Sequence, residues 1–249
     1  MTAVANKTFK EYFSLASVEK LSAALGDPAW LKAKRLAGWA AFERLAAAAD
    51  KQTGSRWLKV AAKAVDSPLE SGAKLTIPET LKPALDGDWG ALAGAYSYGC
   101  EADEPVLLSA EAKQAGVIFM PLREALKSHA ALLEQHLFSR TAVDETLYAA
   151  LHAAYFGQGT FIYVPKGVTL AQPLRLRGVH TGGHAGFFPH TLIVTGEGAE
   201  LTVVDEYYSG GEAAGITAGV SELVLGVNSR LNYISFQSLN RVSGAALRQ

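Results

Sequence analysis

The sequence predicts a mixed α and β protein in two parts: a helical and small α/β region over residues 1–156, then the first coils of a parallel β-helix (β-solenoid) over residues 157–249. Three observations predict it. The first is recurrence: Val194, Gly196, Glu200, Leu201 and Val203 align with Val224, Gly226, Arg230, Leu231 and Tyr233 at an offset of thirty residues, and Gly167, Val168 and Leu170 align with Gly198, Ala199 and Leu201 at thirty-one. A strand pair broken by a Gly-bearing turn cannot bury its apolar face alone, whereas stacking on the next such pair makes a continuous β core. The second is the stretch Phe161-Ile-Tyr-Val-Pro-Lys-Gly-Val-Thr-Leu170, in which β-branched and aromatic residues run into a Pro-Lys-Gly turn. The third is composition. Fifteen of the 24 Gly residues fall in 151–249 while all four Trp residues lie in the first ninety, so the chain changes accent near residue 157.

Each element follows from local pattern. Asp27-Pro28 supplies an N-cap oxygen and a Pro at the first helical position, where no backbone N–H is needed. The helix it opens should run to about Asp50, with Leu36, Trp39, Phe42, Leu45 and Ala46 at helical spacing and Gly54 just beyond. Residues 66–103 are rich in Pro and Gly and read mostly as loop with short elements. Pro105–Ser109, Ala110–Ala115 and Gly116–Met120 read as strand, short helix, strand. Pro121–Phe138 reads as one helix with Leu122, Leu126, Leu133 and Leu137 on a face, and Asp144–Phe156 as another with Leu147, Leu151 and Tyr155 at four-residue steps. Strands begin after Gly157-Gln-Gly159. Leu170, Leu192, Val194, Leu201, Val203, Leu223, Leu225 and Leu231 are the side chains expected to point inward.

At 249 residues and 49% hydrophobic, the chain can bury a substantial core. A net charge of −1 lacks the broad electrostatic footprint of a nonspecific nucleic-acid or anionic-membrane binder, and the longest apolar runs are too short to cross a bilayer. Neither nucleic acid nor membrane is an expected partner, and the reading is of a cytoplasmic protein. The single cysteine, Cys100, rules out an internal disulfide framework and any site built from this chain's thiolates alone.

Candidate chemistry is sparse, and no catalytic residue is assigned. His180, His184 and His190 form the dense His group and are weak metal candidates: they flank a Gly-rich connection that contains no Asp, Glu or Cys to complete a ligand shell. Cys100 is a weak candidate too, because Glu101, Asp103 and Glu104 beside it disfavour the thiolate. Gly157-Gln-Gly159 and Gly182-Gly183 lack the strand-to-helix setting of a phosphate loop. Asp205-Glu206 reads as a solvated strand edge, its two carboxylates pointing to opposite faces. His129 reads as a packed residue on an apolar helix face and Lys166 as solvating a turn. The expectation is that this chain alone binds no cofactor or metal.

With Phe161-Ile-Tyr-Val-Pro-Lys-Gly167, Pro189-His-Thr-Leu-Ile-Val-Thr-Gly-Glu-Gly-Ala-Glu-Leu-Thr-Val-Val204, Gly116-Val-Ile-Phe-Met-Pro-Leu-Arg-Glu-Ala-Leu126 and Leu151-His-Ala-Ala-Tyr-Phe156 in family order, the chain resembles the SufB/SufD family of iron-sulfur cluster assembly proteins, the SufD branch being the nearer. The likeness covers roughly residues 105–240. It implies a parallel β-helix core flanked by helical regions, and a non-catalytic scaffold role with SufB-like and SufC-like (ATPase) partners, the iron-sulfur cluster being held by the complex. Two departures stand out. Thr146-Leu-Tyr-Ala-Ala-Leu-His152 carries His where the family phrase has Asn, and the chain reads as truncated at Gln249, inside a run of strands, so that most partner contacts would lie beyond it. The alternatives at this stage are a stand-alone β-helix carbohydrate-active or binding module, which the scattered acidic residues of the β segment disfavour, and an inactive fragment of a longer protein of this family.

Overall fold

The computed structural model describes residues 13–49, 91–99, 105–181, 186–210, 216–239 and 244–248. Helices α1 (Leu15–Leu25) and α2 (Ala29–Ala49) come first, followed by β1 (Gly94–Tyr98), β2 (Leu107–Leu108), α3 (Ala110–Gln114) and β3 (Ile118–Pro121). Helices α4 (Leu122–Ser128), α5 (Ala130–His136) and α6 (Leu147–Tyr155) lead into the strands. These are β4 (Gln158–Val164), β5 (Leu174–Thr181), β6 (Gly186–Phe187), β7 (Pro189–Thr195), β8 (Glu200–Gly210), β9 (Ile216–Val224), β10 (Arg230–Ser238) and β11 (Gly244–Arg248).

The strands form two sheets, ordered β10-β8-β5-β1-β2 and β11-β9-β7-β4-β3, with β6 beside β9. From β7 onward the strands alternate between the sheets, and neighbours within a sheet run parallel at a near-constant offset. Thr191 pairs with Ser221 and Leu231 with Leu201 at thirty residues, Phe161 with Leu192 at thirty-one, and Leu174 with Val203 at twenty-nine. The recurrence is thus a hydrogen-bonding register. At their other ends both sheets are completed antiparallel, by β2 on β1 and by β3 on β4.

The turns repeat with the strands. Gly167 N–H donates to Glu197 O at 2.9 Å and Gly198 N–H to Val227 O at 2.8 Å, so one turn lies on the next. Glycine is required at this stack. A Cβ on Gly196 would stand 2.4 Å from Lys166 N, and one on Gly226 would stand 2.5 Å from the Gly196 carbonyl carbon. Lys166 lies exposed in its turn and pairs with Glu197 at 2.6 Å, as a solvating role requires.

Alternation of side chains divides the core in two. Ile162, Val164, Ile193, Leu174, Leu176, Leu201 and Val203 fill the space between the sheets. Phe161, Leu192, Val194, Ala218 and Val224 project from the other face of the second sheet onto the helices, so that sheet is covered on both sides. Burying each such side chain favours the fold by about 1.5–3 kcal/mol. Of the residues expected inward, Leu192, Val194, Leu201 and Val203 are buried and Leu170, Leu223 and Leu231 half-buried, but Leu225 is 49% exposed. Strand β9 ends at Val224, and Leu225 stands in the turn that follows.

The helices start and stop where their caps lie. Ser14 Oγ accepts from Ser17 N–H at the start of α1, and Gly26, at φ 65°, ends it. Thr146 caps α6 through Ala149 N–H at 3.0 Å. Helix α2 carries Trp39 and Phe42 inward and meets α6 closely at Gly38, where a Cβ would stand 2.8 Å from Ala153 Cβ and 2.9 Å from Ala150 O. One helix was expected over 121–138. There are two, because His129 leaves helical geometry (φ −132°, ψ 36°), with its half-buried ring 6.2 Å from Phe161. Both halves keep their leucines on the core, so the apolar period runs through the break. The expected elements between residues 50 and 90, and Cys100 and His184, lie outside the described residues.

Candidate functional site

Several ionisable groups of the strand region form buried joints. The first joins the second sheet to the helices. Glu222 of β9 is 1% exposed and takes the backbone N–H groups of Phe138, Arg140 (2.7 Å) and Thr141 (3.0 Å) from the segment between α5 and α6. That segment bends at Phe138, a bulky residue held at φ 58°, where L side chains rarely sit. Three converging donors make a small anion receptor, and Glu222 fills it from within the chain.

His190 of β7 continues the joint. Its Nε2 lies 3.2 Å from Glu222 Oε2, and its Nδ1 lies 3.0 Å from His152 Nε2 of α6. His152 Nδ1 is 2.7 Å from Ala218 O, a group that can only accept. His152 therefore donates from Nδ1 and accepts at Nε2 from His190 Nδ1–H. Phe138, Phe156 and the two imidazoles pack together, with ring centroids 5.1–6.1 Å apart. Burial drives the His152 imidazole well below its ordinary value, and the neighbouring His190 adds to the effect. Burial pushes the Glu222 carboxyl up, but His190 and the backbone donors outweigh it, and its pKa lies below the usual carboxylate value.

The second joint lies between the sheets. Asp205 Oδ2 accepts from Tyr207 (3.0 Å), from Thr191 of the facing sheet (3.3 Å) and from Tyr233. Tyr233 also meets Ser221 at 2.8 Å. Asp205 Oδ1 is buried with no hydrogen-bond partner among the described residues. Burial is the main reason the Asp205 carboxyl is raised to about 6, against the pull of its three donors. Burial and Asp205 together hold the Tyr207 and Tyr233 phenols protonated. On the other face of β8, Glu206 pairs with Arg175 of β5 at 2.7 and 3.1 Å and accepts from Tyr208 at 3.3 Å.

Asp205-Glu206 is therefore not a solvated strand edge. Both residues are buried at 0% and 1% exposure, in the middle of a strand that continues to Gly210. They do point to opposite faces, and each finds partners on other strands as well as on its own. The weak metal candidates separate: His180 meets Thr217 at 2.9 Å and stacks on Phe187, on the inter-sheet side, whereas His190 faces the helices. Sequence reasoning noted His152 only as a departure from the family phrase and passed over Glu222. The available signal was His152 on the apolar face of a predicted helix; Glu222 gave none, since its partners are backbone groups some eighty residues earlier.

Two sheets of stacked parallel strands, covered on one face by helices and locked by buried polar joints, define a class of mixed α and β protein built by repetition. The chain belongs to the SufB/SufD family of iron-sulfur cluster assembly proteins. A family model described as the SufBD core domain of SUF system FeS cluster assembly matches residues 178–245, and one described as the SufBD protein N-terminal region matches residues 106–176. The chain is similar to the iron-sulfur cluster assembly protein SufD of Bacillus subtilis, with 31% identity over 220 residues that cover 86% of this chain and 50% of that protein. It is also similar to a SufBD family protein of Synechocystis (32% over 127 residues, 49% of this chain and 26% of that one) and to a chloroplastic SufBD family protein of Arabidopsis thaliana (31% over 135 residues, 51% and 23%). The chain thus spans half or less of the length of these relatives. Among the described residues no helix is long and apolar enough to cross a membrane.

Proposed function

We propose that this chain is a non-catalytic, SufD-like scaffold subunit that works with SufB-like and SufC-like (ATPase) proteins in assembling an iron-sulfur cluster. In this reading its alternating strands are the opening coils of a parallel β-helix. Residues 157–249 supply those coils, and residues 1–156 supply the helical cover and the strands that complete the first turn. The observation that carries it is the similarity to SufD over 86% of the chain, together with a parallel register that repeats near thirty residues. The chemistry of the joints agrees with the scaffold role: Glu222, Asp205 and Glu206 hold sheets and helices together, each accepting from protein donors. The cluster is cargo of the complex in this proposal, and the chain alone holds none.

Co-expression of the tagged chain with SufB-like and SufC-like proteins tests the reading. A stable complex that accumulates more cluster on anaerobic reconstitution than the partners alone is expected. Absence of both effects would favour an inactive fragment. A stoichiometric cluster on the isolated chain, lost on His180→Ala, His190→Ala or Cys100→Ser, would overturn the claim that it binds none.

A further inference from the structure

On the helical side, the segment joining α1 to α2, helix α4 and the end of α6 enclose a cleft of about 190 Å³. Leu25 and Leu126 give it an apolar wall, and Asp27, Arg35, Arg123 and Lys127 supply its charge. Three cations face one carboxylate. Asp27 is already committed, because Arg35 Nε lies 2.5 Å from its Oδ2, while Arg35 Nη1 donates to Phe156 O at 2.6 Å and the guanidinium stacks on the Phe156 ring at 4.3 Å.

Arg123 is fixed at the rim. Its Nε donates to Gly157 O, and Gly157 leaves room for the guanidinium: a Cβ there would stand 3.1 Å from Arg123 Nη2 and 3.5 Å from Leu25 Cδ1. Lys127 follows one helical turn later, on the same face. Neither Arg123 nor Lys127 has a carboxylate partner among the described residues. The two guanidiniums are near enough to repel, since Arg123 adds to the lowering of Arg35 that burial begins. Like charges gathered in a concave, partly apolar wall raise the local concentration of anions.

We propose that this cleft binds a small organic anion, its phosphate or carboxylate head held by Arg123 and Lys127 and its apolar body laid against Leu25 and Leu126. A planar guanidinium suits such a head group, since it can donate two parallel hydrogen bonds. The volume lies below the roughly 300–1,000 Å³ of pockets for drug-sized ligands, which restricts the ligand to a body about the size of one ring beyond its head.

Isothermal titration of the full chain with phenyl phosphate, inorganic phosphate, benzoate and a Glu-rich peptide tests it. Saturable binding of phenyl phosphate or benzoate, at least about fivefold tighter than inorganic phosphate, is expected because burial of the ring adds to the head-group contacts. Arg123→Gln with Lys127→Gln should weaken it about tenfold or more, the loss of charge-assisted hydrogen bonds. Lys127→Gln alone, at an exposed side chain, gives a second variant should the pair fail to fold, and an intermediate loss is expected. No saturable heat, equal affinity for all anions, or unchanged affinity in a folded variant would overturn the proposal. Tighter binding of the peptide than of either aromatic anion would also overturn it, making the cleft a protein-docking site.

Discussion

At the scale of single residues, the buried ionisable groups set the pH dependence of stability, and two of them act in opposite directions. His152 is held neutral, its folded pKa below its unfolded value near 6.5, so the unfolded chain binds more protons as pH falls through that value. Its contribution is complete above pH 6.5 and is lost on acidification. His152→Gln should therefore flatten the fall in stability below pH 6.5 in denaturant titrations. Asp205 runs the other way. Its folded pKa of about 6 stands above the unfolded value near 4, so its contribution is complete below pH 4 and is lost as pH rises to about 6. A separation of that size corresponds to roughly 3 kcal/mol. Asp205→Asn should remove this component, and a variant whose stability changed with pH between 4 and 6 as the parent does would show that Asp205 is not its source. Glu222→Gln leaves three backbone donors and His190 Nε2 without a carboxylate beside them, a loss of about 2–4 kcal/mol measurable by urea unfolding.

At the scale of elements, close approach matters more than propensity. Replacing Gly38 by Ala would ordinarily stabilise a helix interior by about 1 kcal/mol. Gly38→Val should instead destabilise by about 2 kcal/mol or more, since its Cβ alone meets the α6 backbone at 2.9 Å. A thermal melt of the variant at or above the parent's midpoint would mean that α2 can move away without loss. Many elements were legible in the sequence through the Asp27-Pro28 helix start, apolar helical spacing, a thirty-residue period and Gly at stacked turns, whereas helix α1 and its Ser14 cap were not read. The break at His129 was not legible, because both half-helices carry leucine at compatible spacing. The burial of Asp205 and Glu206 was hidden for a different reason. Their partners, Thr191, Tyr233 and Arg175, lie fourteen to thirty-one residues away and reach them only through the stacking of strands.

Across the whole molecule, each turn of strands touches mainly the turns before and after it, so protection should be graded along the stack. Strand β4 is buried at nearly every position, while β10 leaves Ile234 at 46% and Phe236 at 49% exposure. Hydrogen exchange of the purified chain should show amides of β10 opening well before those of β4 and β7. Equal protection throughout would indicate a single cooperative unit. The pairing of β1 with β5 carries a further consequence. Gly94 bonds alongside Leu174, a partner eighty residues later. On a ribosome adding about 5–20 residues per second, β1 emerges roughly 4–16 seconds before that partner exists. Through that interval its Tyr96 and Tyr98, buried in the finished protein, have no parallel neighbour to lie against. This segment of the nascent chain is thus one that a holding chaperone would have reason to cover, and where slowed translation would be felt as lost yield rather than as lost stability.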